Sequence, residues 1–194
     1  RSTVSSQDEI GILADTFNSM TASLEYTLDS LRIEQERSEN LLLNILPKDI
    51  AELLKKKPDS IAEQYSEASI LFADVVNFTP MSSQMKPIEL VELLNQVFSQ
   101  FDDLVEKYDL EKIKTIGDCY MVASGVPRPR QDHAKVITCL ALDMQEIVRQ
   151  SDYFGRKLTF RIGINSGPVV AGVIGRKKFI YDLWGDAVNT ASRM

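Results

Sequence analysis

The sequence predicts an α+β domain that follows a long helix. A heptad pattern occupies the first 46 residues, and segments typical of strands and helices alternate through the rest. The apolar segment ILFADVVNFT, from Ile70 to Thr79, has the length of a buried strand and carries Asp74 in its middle. A charge in such a strand is costly unless it is paired or binds a metal. We therefore expect Asp74 to belong to a functional site.

The composition is that of an ordinary globular protein, with 194 residues, 44% apolar and 26% charged. A net charge of −6 argues against non-specific nucleic-acid binding. Two cysteines without a CxxC motif favour a reducing compartment and no disulfides. No segment reaches the ~18 apolar residues of a membrane span. Because the sequence begins in mid-pattern without Met, we expect it to be part of a longer protein.

The first helix shows an apolar seam with alternating spacings of three and four residues, and proline is absent before Pro47. This pattern predicts a parallel coiled coil. A single amphipathic helix packed on its own domain is the alternative, but the seam is longer than the ~25 residues usual for globular helices. The seam consists of Ile10, Leu13, Phe17, Met20, Leu24, Thr27, Leu31, Glu34, Ser38, Leu41 and Ile45.

Pro47 should end this helix, because proline cannot continue a helix without a kink. A short amphipathic helix is predicted next, over Lys48 to Lys57, with a linker at Lys55 to Ser60. The later segments give the order β-α-β-β-α-β with additions, which is the ferredoxin-like arrangement. The predicted elements are a strand at 69–76, a helix from Pro87, a hairpin at 111–124 around Gly117-Asp118, a helix at 132–150, a strand at 159–165, a strand or loop at 168–174, a strand at 179–183 and a helix from Gly185 to Met194.

Two carboxylates are expected to meet in that topology, because the first strand and the hairpin are neighbours. Asp74 and Asp118 would repel each other unless a proton or cation lies between them. Oxygen ligands suit Mg²⁺ or Mn²⁺, and His133 is the only histidine, so zinc is not indicated. Backbone N–H groups at Phe78 and Thr79, where the strand turns into a helix, are a candidate triphosphate site. The alternatives are structural aspartates and an ordinary capped turn.

Two resemblances to known families add to this interpretation. The segment DEIGILADTFNSMTASLE, Asp8 to Glu25, resembles the second helix of a HAMP domain, and Ser30 to Leu46 resembles a signalling helix. These imply a HAMP end over 1–29 and a signalling helix over 30–46, and the predicted short helix and linker then occupy 47–65. They also imply a membrane-anchored parent protein whose output domain lies on the cytoplasmic side.

The motifs FADVVNFT, EKIKTIGDCYMVASG, GINSGPVVAGVIG and YDLWGDAVNTASRM together resemble a class III nucleotide cyclase domain over 66–194. The resemblance implies a homodimer with two sites at its interface. Each site would take metals from one subunit and base-recognition groups from the other. The 3′-hydroxyl of the nucleotide would attack the α-phosphorus, and pyrophosphate would leave.

The resemblance also assigns roles to single residues. Asp74, Asp118 and the carbonyl of Val75 would bind two Mg²⁺ or Mn²⁺ ions, and Gly117 would lie against the substrate. Lys114 would donate to adenine N1 and Asp182 would accept from its amino group, which favours ATP. Asn189 and Arg193, on one face of the last helix, would orient the ribose and stabilise charge on the α-phosphate. The corresponding list of substrate-binding residues is Phe78, Thr79, Lys114, Gly117 and Asp182.

Three alternatives stay open. A guanylate cyclase would typically carry Glu and Cys in place of Lys114 and Asp182. A diguanylate cyclase would carry a GG[DE]EF hairpin instead of Ile116-Gly117-Asp118-Cys119. A non-catalytic dimeric signalling module is the third. Members of the cyclase family continue beyond the last helix with a strand pair and a lysine, so we expect a chain ending at Met194 to form no cyclic AMP with Mn²⁺.

Overall fold

A computed structural model describes residues 9–43, 46–56, 61–175 and 179–194. The chain divides into two compact units, Arg1–Ile45 and Leu46–Met194. In the first unit, α1 spans Glu9–Leu43. Its predicted seam residues are largely exposed, among them Leu13, Phe17, Met20, Leu24, Leu31 and Leu41. The predicted seam residue Ile45 and most of the predicted linker lie outside the described residues. No helix within those described ranges combines the length and hydropathy needed to cross a bilayer.

In its described residues, the second unit has the predicted βαββαβ order with one further strand and three short helices, which confirms the α+β fold class. Its elements are α2 (Lys48–Lys56), β1 (Ala62–Val75), α3 (Phe78–Ser82), α4 (Pro87–Lys107), β2 (Glu111–Ile116), β3 (Cys119–Ser124), α5 (His133–Gln150), β4 (Phe160–Ile174), β5 (Ile180–Trp184) and α6 (Asp186–Ala191).

The five strands form one antiparallel sheet in the order β2-β3-β1-β4-β5. β1 begins at Ala62, inside the segment 47–65 expected to hold only a short helix and a linker, because its first residues pair with the distal half of β4. A register shift between Tyr65 and Ala68 separates this pairing from the rest of β1. The segment 168–174, left open between strand and loop, continues β4 without interruption.

The hydrophobic core lies between one face of the sheet and helices α4 and α5. Phe101 of α4 is fully buried at its centre, with its ring centroid 5.5 Å from that of Tyr120 and 5.1 Å from that of Phe160. Both contacts are close to edge-on, the geometry that aromatic rings favour. The core therefore fixes β1, β3 and β4 against α4.

The opposite face of the sheet, which we call the open face, carries the polar residues of interest. Successive side chains of a strand point to opposite faces, so the core residues Ala73 and Val75 leave Phe72 and Asp74 on the open face. Helix α6 contacts this face at Gly163 of β4. A Cβ at Gly163 would lie 2.3 Å from the carbonyl oxygen of Ala191, so only glycine permits this approach.

Helix α2 is attached to the sheet domain by an ion pair. The Arg128 guanidinium donates to both carboxylate oxygens of Asp49, at 2.7 and 3.0 Å. Close to this pair, burial and the Asp49 charge raise the pKa of Glu111 to about 7. A raised carboxyl pKa means that the folded protein holds the proton more tightly than the unfolded chain. Stability from this group is therefore complete below pH 4.5 and is lost as the pH rises through 7.

We expect Glu111→Gln to stabilise the protein at pH 8 by about 1–3 kcal/mol and to leave it nearly unchanged at pH 4.5. Glutamine imitates the protonated carboxyl, so the cost of ionising a buried group disappears. Urea unfolding at the two pH values measures the effect. Glu106→Gln, on the exposed side of α4, is the matched control and should change stability equally little at both. A gain for Glu111→Gln that is the same at both pH values would contradict the assignment.

Candidate active site

Asp74 lies one residue before the end of β1, and its side chain is 28% exposed. The sequence predicted a carboxylate in a buried strand, and the alternation of side chains places it on the open face of the sheet. Arg161 Nη2 donates a hydrogen bond to Asp74 Oδ2, and the two residues are directly opposite each other in the β1–β4 pairing. Sequence analysis missed Arg161, because the register of two strands so distant in the chain cannot be read from either strand.

Asp118 lies in the predicted hairpin turn, beside Cys119, which is the β3 residue paired with Asp74. Burial, together with the nearby charges of Asp74 and Asp118, raises the pKa of the Cys119 thiol to about 11. Both carboxylates thus act on one thiol at this end of the sheet. Gly117 has φ +63 and is exposed, which leaves the turn open to solvent.

The donor atoms at this end of the sheet are carboxylate and carbonyl oxygens, the ligand type that hard divalent cations take. Within the ranges that the structure describes, no group of three or more His, Cys, Asp or Glu side chains is placed to hold a metal. Mg²⁺ is commonly bound by one or two carboxylates and completed by water and substrate phosphates. Asp74 and Asp118 are two carboxylates at this end of the sheet. The side chain of Val75 is buried in the core, so only its backbone carbonyl is available as a ligand.

Lys114 and Asp182 contact each other although they belong to opposite edge strands. Lys114 Nζ of β2 donates to Asp182 Oδ2 of β5, which shows that the sheet curls until its edges meet. Their side chains are 32% and 18% exposed. The other carboxylate oxygen of Asp182 accepts from the backbone N–H of Leu183 at 2.9 Å. The pair is therefore held in place while part of it stays open to a ligand.

Asn189 and Arg193 are both exposed near the end of the chain. The prediction that one helix carries both is wrong, because α6 ends at Ala191. Arg193 lies in the following turn, where its backbone N–H donates to the carbonyl of Thr190 at 3.1 Å. Arg193 is four residues after Asn189 and therefore lies beyond the last residue of α6. The backbone of the turn, and not that of the helix, sets the direction of its side chain.

A pocket of about 470 Å³ brings Asp74 and Arg193 of the same chain together. Gly163 and the last residues of the chain form one wall, and the end of the β2–β3 hairpin forms another. Its lining residues are Phe72, Asp74, Ile116, Cys119, Arg161, Gly163, Ala191, Ser192, Arg193 and Met194. One carboxylate and two guanidinium groups therefore border a single cavity of the open face.

The predicted phosphate turn contains a short helix, α3, that begins at Phe78. Asn77 precedes it in the left-handed conformation, with φ 59. The Phe78 side chain packs against the core, and the Thr79 carbonyl accepts from Ser82 Oγ at 3.0 Å. An anion at this turn would therefore be bound by backbone N–H groups.

Similarity to known proteins covers most of the chain. A sequence model described as "Adenylate and Guanylate cyclase catalytic domain" matches residues 61–194. The chain is 51% identical over 176 residues to an adenylate cyclase of Mycobacterium tuberculosis, covering 90% of this chain and 39% of that protein. It is 42% identical over 166 residues to guanylate cyclase soluble subunit beta-2 of Rattus norvegicus, covering 84% and 24%. The chain thus spans well under half the length of these relatives.

A solved structure gives the same result for the fold. The catalytic core of a rhodopsin-guanylyl cyclase with converted specificity, in complex with ATPαS, superimposes with a TM-score of 0.67 at 39% identity. The match covers 69% of this chain and 73% of that one. The similar proteins include both adenylate and guanylate cyclases, so overall similarity does not determine which base this chain prefers.

Proposed function

Because this chain belongs to the family of adenylate and guanylate cyclase catalytic domains, we propose that it converts ATP to 3′,5′-cyclic AMP and pyrophosphate in a homodimer. The observation that carries the choice of ATP is the contact between Lys114 and Asp182. A lysine next to a carboxylate offers one donor and one acceptor in a fixed arrangement, which suits a ligand that presents one acceptor and one donor.

Adenine presents an acceptor at N1 and an amino donor at C6. Lys114 can donate to the first and Asp182 can accept from the second. Guanine has a donor at N1 and an acceptor at C6, so it would leave both protein groups unmatched. Sites that depend on specific hydrogen bonds reject the wrong ligand strongly, because buried polar groups lose their partners. The 51% identity to a mycobacterial adenylate cyclase supports the same choice.

The proposed chemistry is an internal phosphoryl transfer, in which positioning and electrostatics supply most of the catalysis. Asn189 orients the ribose, and the guanidinium of Arg193 stabilises negative charge on the α-phosphate. Asp74, Asp118 and the Val75 carbonyl would hold two divalent ions, Mg²⁺ or Mn²⁺. When bound, such ions supply Lewis-acid stabilisation at the attacking hydroxyl and the departing phosphates. Backbone groups at Phe78, Thr79 and Gly117 are the proposed contacts of the triphosphate.

Regulation is proposed to come through α1. Its seam side chains are exposed in the single chain, and a parallel partner helix would bury them. Dimerisation through both the coiled coil and the catalytic domain would bring two sites together at one interface. The resemblance to HAMP and signalling helices supports a relay from a membrane-anchored parent protein to a catalytic domain on the cytoplasmic side.

Product analysis on the full-length protein tests this proposal. With Mn²⁺ present, we expect cyclic AMP from ATP and much slower turnover of GTP. Cyclic GMP as the main product would instead support a guanylate cyclase. Nucleotide binding without either product, in a protein shown to be folded and dimeric, would support a non-catalytic signalling module.

A further inference from the structure

Arg161 donates a hydrogen bond to the carboxylate of Asp74, which the proposed function assigns as a metal ligand. We propose that Arg161 is a built-in competitor of the divalent cation, one that neutralises Asp74 until an ion displaces it. The inference rests on the proposed function in one respect, the assignment of Asp74 as a metal ligand. Its evidence is the hydrogen bond from Arg161 Nη2 to Asp74 Oδ2 and the directly opposed positions of the two residues in the sheet.

The surroundings of this pair favour competition over a purely structural role. The Asp74 side chain is more than two thirds covered, at 28% exposure. Arg161 is 66% exposed, so its guanidinium can leave without opening the core. The core residues Leu71, Ala73 and Phe160 hold the two strands in register independently of the pair. The contact can therefore break while the sheet stays intact.

The pocket has room for the Arg161 guanidinium after an ion displaces it from Asp74. Arg161 and Arg193 both border the cavity of about 470 Å³ that also contains Asp74. An ion that binds Asp74 takes the oxygen that Arg161 now uses, and the released side chain stays at the rim of the same cavity. Binding of the cation is consequently opposed by the loss of one charge-assisted hydrogen bond.

The expected effect is modest, because Arg161 is largely solvated. Ion pairs between exposed groups contribute little, and their loss corresponds to changes of about two- to fivefold in a binding constant. Removing Arg161 should tighten binding of the ion by this factor. A lysine at 161 keeps the charge but lacks the planar fork of the guanidinium, so its effect should be intermediate.

Binding of Mn²⁺ alone, without nucleotide, tests the inference. The free Mn²⁺ signal in electron paramagnetic resonance is titrated with wild-type protein and with Arg161→Gln, Arg161→Lys and Arg193→Gln. Arg193 borders the same pocket, so Arg193→Gln controls for the general loss of one positive charge. We expect a dissociation constant two- to fivefold lower for Arg161→Gln, and a smaller change for Arg193→Gln. Thermal melts confirm that each variant is folded.

Equal effects of Arg161→Gln and Arg193→Gln would overturn direct competition in favour of a general field effect. Unchanged or weaker Mn²⁺ binding by Arg161→Gln would overturn it as well. Asp74→Asn separates this inference from the assignment on which it rests. If Asp74→Asn leaves Mn²⁺ binding intact, the metal assignment itself is wrong. If Asp74→Asn weakens binding and Arg161→Gln changes nothing, the assignment stands and only the competition fails.

Discussion

Replacing Asp74 with asparagine is expected to lower cyclic AMP formation by at least about 10²-fold, the usual cost of losing one electrostatic group at a reacting centre. Asparagine has nearly the same shape as aspartate but no charge, so the fold should persist while binding of a cation is impaired. Asp74 lies outside the core and near the end of β1, which makes the substitution structurally tolerable. The turnover number of the full-length protein with Mn²⁺ and ATP measures the effect.

Asp103→Asn, an exposed position on α4, is the matched control and should retain turnover within twofold. Asp118→Asn should resemble Asp74→Asn, because both carboxylates act at the same end of the sheet. Turnover by Asp74→Asn within threefold of wild type, in a protein with an unchanged melting temperature, would show that this carboxylate is not needed for the reaction.

The double substitution Lys114→Glu with Asp182→Cys is expected to reduce kcat/KM for ATP by about 10²-fold or more. Glutamate accepts where lysine donated, so adenine N1 would face a second acceptor. The same change offers guanine a partner for its N1 donor, and we expect measurable turnover of GTP. Steady-state kinetics with both nucleotides, on one preparation of the full-length protein, give the ratio directly.

Lys135→Glu provides the control for charge reversal, because Lys135 is exposed on α5. Lys135→Glu should change kcat/KM for neither ATP nor GTP appreciably. Each single substitution should lose ATP turnover without gaining GTP turnover, since half of the base-recognition pair would remain unchanged. If the double variant uses ATP as well as wild type does, Lys114 and Asp182 do not read the base.

The parts of the fold that the sequence predicted are those set by local patterns. The period of seven in α1, the apolar face of α4 and the glycine at the β2–β3 turn each depend on residues close together in the chain. The order of elements follows from them. The boundaries of helices and strands were predicted less well, because β1 begins earlier and α6 ends earlier than expected.

The contacts that define the candidate site could not be predicted from local sequence patterns. Arg161 meets Asp74 because two distant strands pair in one particular register. Lys114 meets Asp182 because the sheet curls, although three strands lie between β2 and β5. Neither arrangement leaves a periodic signal in the sequence. The resemblance to a family supplied the identity of Lys114 and Asp182, but not their mutual contact.

The meeting of the two sheet edges has a consequence for how nucleotide preference can change. Lys114 and Asp182 lie on the two edge strands of a five-stranded sheet. The distance between them therefore depends on the twist of every strand in between. A bulky residue introduced midway, far from any bound base, would alter that separation by flattening or tightening the curve. If Lys114 and Asp182 recognise the base as proposed, discrimination between purines would depend on the curvature of the whole sheet, and changes in selectivity need not arise at the residues that touch the ring.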